Sequence, residues 1–310
     1  MKDSIFRQRG KFIFLLVMIG LASLGVRLLM GYDFHHSALL YVGIPFVIAL
    51  VLILVRPVGE VSWKKRYLIR LIDAFIIMFG SSVVLFEGFV CVAMFIPIYL
   101  AVMLIMFLSE LIRDHLKQKR GTTFSFYLVP LLLLVSSFEG VLPQWSFERH
   151  ETVSVTRVVP VGLADIKHNL QQPIHLPSSR PWFLRLFPMP YAIEAGSLQA
   201  GDVHKIHFRY YRWFVTNMHE GAMQLKIVTV NDHHIKTAFI EDTSYIANYL
   251  HLKGTEIDLH ELGKNQTRVT LRFDYERTLD PYWYFAPVTR YGIRKTAEFL
   301  IKEVIAHESI

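Results

Sequence analysis

Thr267-Arg268-Val269-Thr270-Leu271-Arg272-Phe273-Asp274-Tyr275-Glu276-Arg277 sets apolar or aromatic side chains against polar ones at almost every step. Successive side chains of a strand point to opposite faces, so Val269, Leu271, Phe273, Tyr275 and Arg277 share one face. Arg268, Thr270, Arg272, Asp274 and Glu276 share the other. The apolar set marks the covered face, and strict alternation carries Tyr275 and Arg277 to that side at the strand's end. A charge withdrawn from water needs a partner. Two readings follow: Phe273, Tyr275 and Arg277 line a ligand pocket whose polar end is Tyr275 and Arg277, or Arg277 pairs with a carboxylate such as Asp280 or escapes to solvent.

Outward from this strand, residues 146–310 break into short alternating segments separated by Gly, Pro and Asn. Strands are expected at Glu151–Val159, Val203–Trp213, Met223–Val230, His234–Glu241, Tyr245–Leu259 (with a break) and Thr267–Thr278. A short helix is expected from Pro160-Val161-Gly162 to Gln171, and an amphipathic one from about Thr289 to His307, with Ile293, Ala297, Leu300, Ile301 and Val304 on one face. The order gives an α+β class, an antiparallel sheet wrapped around a long C-terminal helix.

The residues filling that order are Val155-Thr156-Arg157-Val158-Val159-Pro160, Phe187-Pro188 with Gly196 and Gly201, Thr267-Arg268-Val269 and Tyr275-Glu276-Arg277-Thr278-Leu279-Asp280-Pro281 through Tyr284-Phe285-Ala286-Pro287. With them the C-terminal half resembles the START-like, or polyketide cyclase/Bet v 1-like, helix-grip superfamily. The resemblance implies a cavity between sheet and last helix that takes a lipid or another hydrophobic small molecule. Tyr282-Trp283-Tyr284-Phe285, the most aromatic stretch of the chain, then lines the cavity mouth, lies at a membrane headgroup region, or packs as ordinary core.

Residues 1–145 read differently. Apolar runs near 12–30, 38–55, 71–87, 89–109 and 126–142 are separated by links of unequal charge, and five membrane spans are expected. Lys2, Arg7, Arg9 and Lys11 precede the first run; Arg56, Lys64, Lys65, Arg66 and Arg70 follow the second; Arg113, Lys117, Lys119 and Arg120 follow the fourth. The positive-inside bias makes these links cytoplasmic, in a multi-pass cell-membrane protein with a cytoplasmic N-terminus and a non-cytoplasmic domain from 146 onward. A cleaved signal peptide is the other reading of the first run, against which stand its length, the interrupting Arg27 and the lack of an Ala-x-Ala site.

The chain's formal charge of +7 divides unevenly. Residues 1–145 carry 14 basic and 8 acidic side chains; 146–310 carry 19 and 18. A domain so near neutrality lacks the basic footprint of a nucleic-acid binder. Cys91 is the single cysteine, which excludes an intramolecular disulfide and paired-cysteine zinc sites. The 14 histidines, His204 and His207 among them, show no chelating spacing, so neither metal nor cofactor is expected. Glycine-rich phosphate loops and the Gly-x-Ser-x-Gly elbow are absent as well.

Ser81-Ser82 leading to Glu87 is echoed by Ser136-Ser137-Phe138-Glu139-Gly140, each placing a carboxylate near a span end. The expected function is therefore a membrane-embedded, non-catalytic binder of a lipid or similar ligand. A cyclase or dehydrase using Tyr275, Arg277 and a histidine, and a transporter component using the membrane half, are the alternatives.

Overall fold

Two kinds of periodicity yield two units. The computed structural model describes residues 36–55, 62–85, 89–120, 128–177, 180–213 and 216–306. The first unit comprises residues 1–147 together with Leu279–Tyr282, and the second Glu148–Thr278 with Trp283–Ile310.

In the first unit, the wide turn Leu39–Gly43 leads into helix α1, Ile44–Val55, followed by α2, Trp63–Leu85, α3, Phe89–Arg120, and α4, Leu128–Ser136. α1, α2 and α4 all pack against α3, whose buried residues include Ile98, Tyr99, Val102, Met106 and Phe107. Their spacing of three and four residues is the apolar stripe of a packed helix.

Among the described residues one helix is long and apolar enough to cross a membrane, Met94–Ile112 within α3, with a mean hydropathy of 2.3. Five spans are not established among the described residues. The run at 12–30 lies outside the described residues. α1 and its leading turn extend about 25 Å, short of a hydrocarbon core of about 30 Å. α2 begins at Trp63 and carries Lys64, Lys65, Arg66, Arg70 and Asp73 before its apolar stretch. The run 126–142 yields nine helical residues, Leu128–Ser136, about 14 Å. It ends because Ser136 and Ser137 donate their hydroxyls back to the carbonyls of Leu133 and Leu134 (2.9 and 2.6 Å). Gly140 then turns the chain at a φ of 77°.

The contact between α2 and α3 also buries charge and leaves apolar side chains outside. Arg70, Asp73, Ser109 and Glu110 are buried, whereas Leu68, Ile72 and Ile76 on α2 and Leu104, Leu108 and Ile112 on α3 are exposed at four-residue intervals. Arg70 and Glu110 form a two-pronged ion pair between the two helices, with side chains 3% and 8% exposed.

The second unit is an eight-stranded sheet: β1, His150–Val159; β2, Ile174–His175; β3, Met189–Glu194; β4, Val203–Trp213; β5, Thr216–Val230; β6, His234–Asp242; β7, Leu250–Gly263; β8, Gln266–Arg277. Helix α5, Leu163–Asn169, lies between β1 and β2, and α6, Tyr282–Leu300, continues through the wider turn Ile301–Ile305. The spatial order is β1-β8-β7-β6-β5-β4-β3-β2, antiparallel throughout. Only the β1 to β2 connection leaves the meander. Register shifts in β3, β5 and β7 insert bulges that increase twist, and the sheet curls.

The inner face holds Val153, Val155, Ile257, Leu259, Val269, Leu271 and Phe273 against Ile293, Ala297, Ile301 and Ile305 of the last helix. Burying each such side chain contributes about 2 kcal/mol. The outer face is charged: Glu256 of β7 sits between Lys236 of β6 and Arg272 of β8, at 2.8 and 2.6 Å. Both neighbours hold the Glu256 carboxyl below its ordinary range, Lys236 most of all.

Expected elements differ in four places, the first being β5, which begins at Thr216, seven residues before the expected Met223. β2 and β3 fall in the proline-rich stretch that reads as irregular, and β3 tolerates Pro190 because the pairing with β4 shifts register there. The segment Tyr245–Leu259 divides into a single turn, Tyr245–Asn248, capped by the Ser244 hydroxyl, and then β7. α6 starts seven residues earlier than Thr289 and absorbs Pro287, because Phe285 and Ala286 are fully buried.

Candidate functional site

Burial along β8 alternates without a break from Thr267 to Arg277. The inner-face side chains end in Tyr275, 1% exposed, and Arg277, 0% exposed. β1 flanks β8 on one side with Glu151 opposite Tyr275, and β7 on the other with Leu252 opposite Tyr275 and Leu250 opposite Arg277.

This register assembles a polar cluster. The Tyr275 hydroxyl donates to Glu151 Oε2 at 2.8 Å. Arg290, two turns into the solvent-facing edge of α6, grips the same carboxylate with Nε on Oε2 at 2.8 Å and Nη2 on Oε1 at 3.0 Å. The Glu151 side chain is only 5% exposed, Arg290 46%. Thr289 donates its own hydroxyl to the carbonyls of Phe285 and Ala286. Burial, and then the hydrogen bond to Glu151, push the Tyr275 hydroxyl well above the usual tyrosine range, so it remains a neutral donor.

Arg277 lies at the end of the same row, and its backbone N–H donates to the Arg149 carbonyl at 2.9 Å. Phe273 sits two residues back, within the core cluster.

The four aromatic residues do not share one surface. Tyr282 belongs to the first unit, where its ring meets Phe147 at 5.8 Å and its N–H donates to Glu139 Oε1 at 2.8 Å. Trp283 is largely exposed, while Phe285 is fully buried. Tyr284 packs edge-on against Phe285 at 4.9 Å, and burial pushes its hydroxyl up to about 12. They form the opening turn of α6.

Glu151 and Arg290 escaped the sequence reading. The signal was present, since Glu151 shares the inner face with Val153 and Val155, but its meaning depends on pairing with Tyr275. Glu139 receives a local role, capping the first N–H of α6; Glu87 lies outside the described residues. Asp280, named as a partner for Arg277, belongs to the first unit. There its carboxylate accepts from the Ser146 hydroxyl at 3.0 and 2.9 Å, and its N–H donates to the His36 carbonyl at 2.7 Å.

Histidines are engaged singly: His204 with the Ser197 carbonyl (2.9 Å), His207 with Glu194 (2.9 Å), His234 with Asp258 (2.7 Å). Among the described residues no three His, Cys, Asp or Glu side chains converge as metal ligands.

No protein-family model and no curated protein matches the chain. Solved structures similar to its C-terminal half are START-like and Bet v 1-like helix-grip proteins. A START superfamily protein from Mycobacterium smegmatis is 14% identical, with a TM-score of 0.30, covering 49% of this chain and 92% of that one. Protein Ms6760 from Mycobacterium smegmatis is 15% identical at a TM-score of 0.32, over 50% of this chain and 88% of its own. Norcoclaurine synthase from Thalictrum flavum, in complex with dopamine and hydroxybenzaldehyde, is 15% identical at 0.31, over 52% and 90%.

Proposed function

We propose that the chain is a membrane-anchored, START-like binder of a lipid or similar hydrophobic ligand, acting without catalysis on the non-cytoplasmic side. The observation that carries the reading is the inner row of β8, in which Val269, Leu271 and Phe273 run into Tyr275 and Arg277 with almost no exposure. An apolar row ending in a hydroxyl and a guanidinium complements a molecule with an apolar body and a polar end. Anchoring is supported by the exposed leucine and isoleucine ridges of α2 and α3, which suit a hydrocarbon solvent better than water. Orientation rests on the basic links.

The test uses the full chain in lipid nanodiscs, followed by native mass spectrometry of what remains bound. Wild-type protein retains lipid, and Arg277→Met retains less. Equal retention in a stably folded Arg277→Met variant would remove Arg277 from the site, and a lipid-free wild-type chain would sink the binding reading.

An acid–base reading is favoured by one observation, the 2.8 Å approach of Tyr275 to Glu151. It ranks second because Arg290 occupies both carboxylate oxygens of Glu151, and the raised tyrosine is a poor acid. Turnover of a polyketide-like substrate that vanished in Glu151→Gln would reverse the order.

A further inference from the structure

The outer face of α2 changes character along its length. Trp63, Lys64 and Lys65 are exposed at its start, and the Lys64 ammonium stands 5.7 Å from the centre of the Trp63 ring. Lys64, Leu68, Ile72 and Ile76 then follow at four-residue intervals, with Lys65 beside them, which puts two cations and an exposed apolar ridge on one side of the helix, and the Trp63 indole against Lys64 at the first turn. The opposite side carries the buried Arg70, Asp73 and Ile77. Among the described residues neither Lys64 nor Lys65 is held by a carboxylate, whereas Arg70 is.

We infer that the Trp63–Lys65 shoulder binds the headgroup phosphate of an anionic phospholipid whose acyl chain lies along Leu68, Ile72 and Ile76. The dimensions agree: at 1.5 Å per residue the ridge from Lys64 to Ile76 is about 18 Å long, and one leaflet's hydrocarbon is about 15 Å deep. The chemistry agrees too. Indole rings settle at headgroup depth, and lysines immediately beside a membrane helix draw anionic lipid, each weakening binding about fivefold when removed. An acidic protein segment would match the two lysines but not the apolar ridge that continues from them. This site rests on the membrane-anchored reading and is separate from the ligand row in the second unit.

The experiment reconstitutes the full chain in nanodiscs of mixed phosphatidylcholine and phosphatidylglycerol and counts retained lipids by native mass spectrometry. Wild-type protein is expected to keep phosphatidylglycerol in excess over its share, less so as salt is raised. Lys64→Gln/Lys65→Gln should lose roughly twentyfold of that preference. Lys226→Gln/Lys302→Gln, which removes the same charge from exposed positions of the second unit, should keep it. Equal retention of both lipids by wild type, or an unchanged preference in Lys64→Gln/Lys65→Gln, overturns the site while leaving the anchor intact. Release of the chain from native membranes by alkaline carbonate would overturn the anchor and this site together.

Discussion

Each unit buries an ion pair, and the two are built in opposite ways. Arg70–Glu110 joins two apolar helices with both side chains withdrawn from solvent, beneath ridges of exposed leucine and isoleucine. Glu151–Arg290 joins the sheet to α6 with the carboxylate hidden and the guanidinium half exposed, over an apolar core and under a charged outer surface. The second arrangement is what water selects, because the arginine keeps part of its hydration. The first withdraws both charges from solvent and leaves apolar side chains outside them.

The sharpest way to break that comparison is Glu110→Ala. It leaves Arg70 buried with its ion-pair carboxylate removed and should cost about 3–5 kcal/mol, read as the thermal midpoint of the full chain in detergent. The exchange Arg70→Glu/Glu110→Arg should recover part of the loss. A tolerated Glu110→Ala would mean that water reaches Arg70 and that the two pairs are not different in kind.

Gly140→Ala comes next, at about 2 kcal/mol or more. It forces a left-handed φ on a residue with a Cβ, and that Cβ would overlap the Asp280 carboxylate. Glu151→Gln should cost less, about 1–2 kcal/mol, since Arg290 can turn to solvent and Tyr275 keeps an acceptor. A loss as large as that of Glu110→Ala would erase the distinction between the pairs.

Smaller still is a pH effect. Burial raises the folded Tyr275 above its ordinary 10.0, so its contribution is complete below pH 10 and declines as pH rises past that value. Tyr275→Phe should flatten the alkaline fall in urea stability. The smallest effect belongs to Arg209→Ala, which removes an exposed pairing with Glu220 and should leave the midpoint unchanged.

Particular residues show what the sequence made legible. β8 declared its inner face because every second side chain from Val269 to Phe273 is apolar, and β4 could be bounded at Val203 and Trp213 from alternation between turns. β3 stayed hidden because proline normally argues against a strand, and its bulge is a tertiary accommodation. The start of α6 was misplaced for a related reason: Pro287 reads as a boundary, but burial of Phe285 and Ala286 outweighs the hydrogen bond it removes.

The candidate site was half visible. Tyr275 and Arg277 follow from alternation alone, whereas Glu151 and Arg290 acquire meaning only once the register of β1 on β8 is known. Arg70 was counted among the loop charges that set orientation, since composition does not distinguish a cation waiting in a link from one inserted between helices.

The loop from β8 to α6 has a practical consequence for dissection of the chain. Leu279–Tyr282 is first-unit territory spliced into the second, where Ser146, His36 and Glu139 satisfy Asp280 and the first N–H of α6. A fragment cut at residue 148 would carry those four residues away from every one of these partners. The natural cut point in the sequence is thus a poor cut in the molecule, and a fragment that keeps these partners begins upstream of His36.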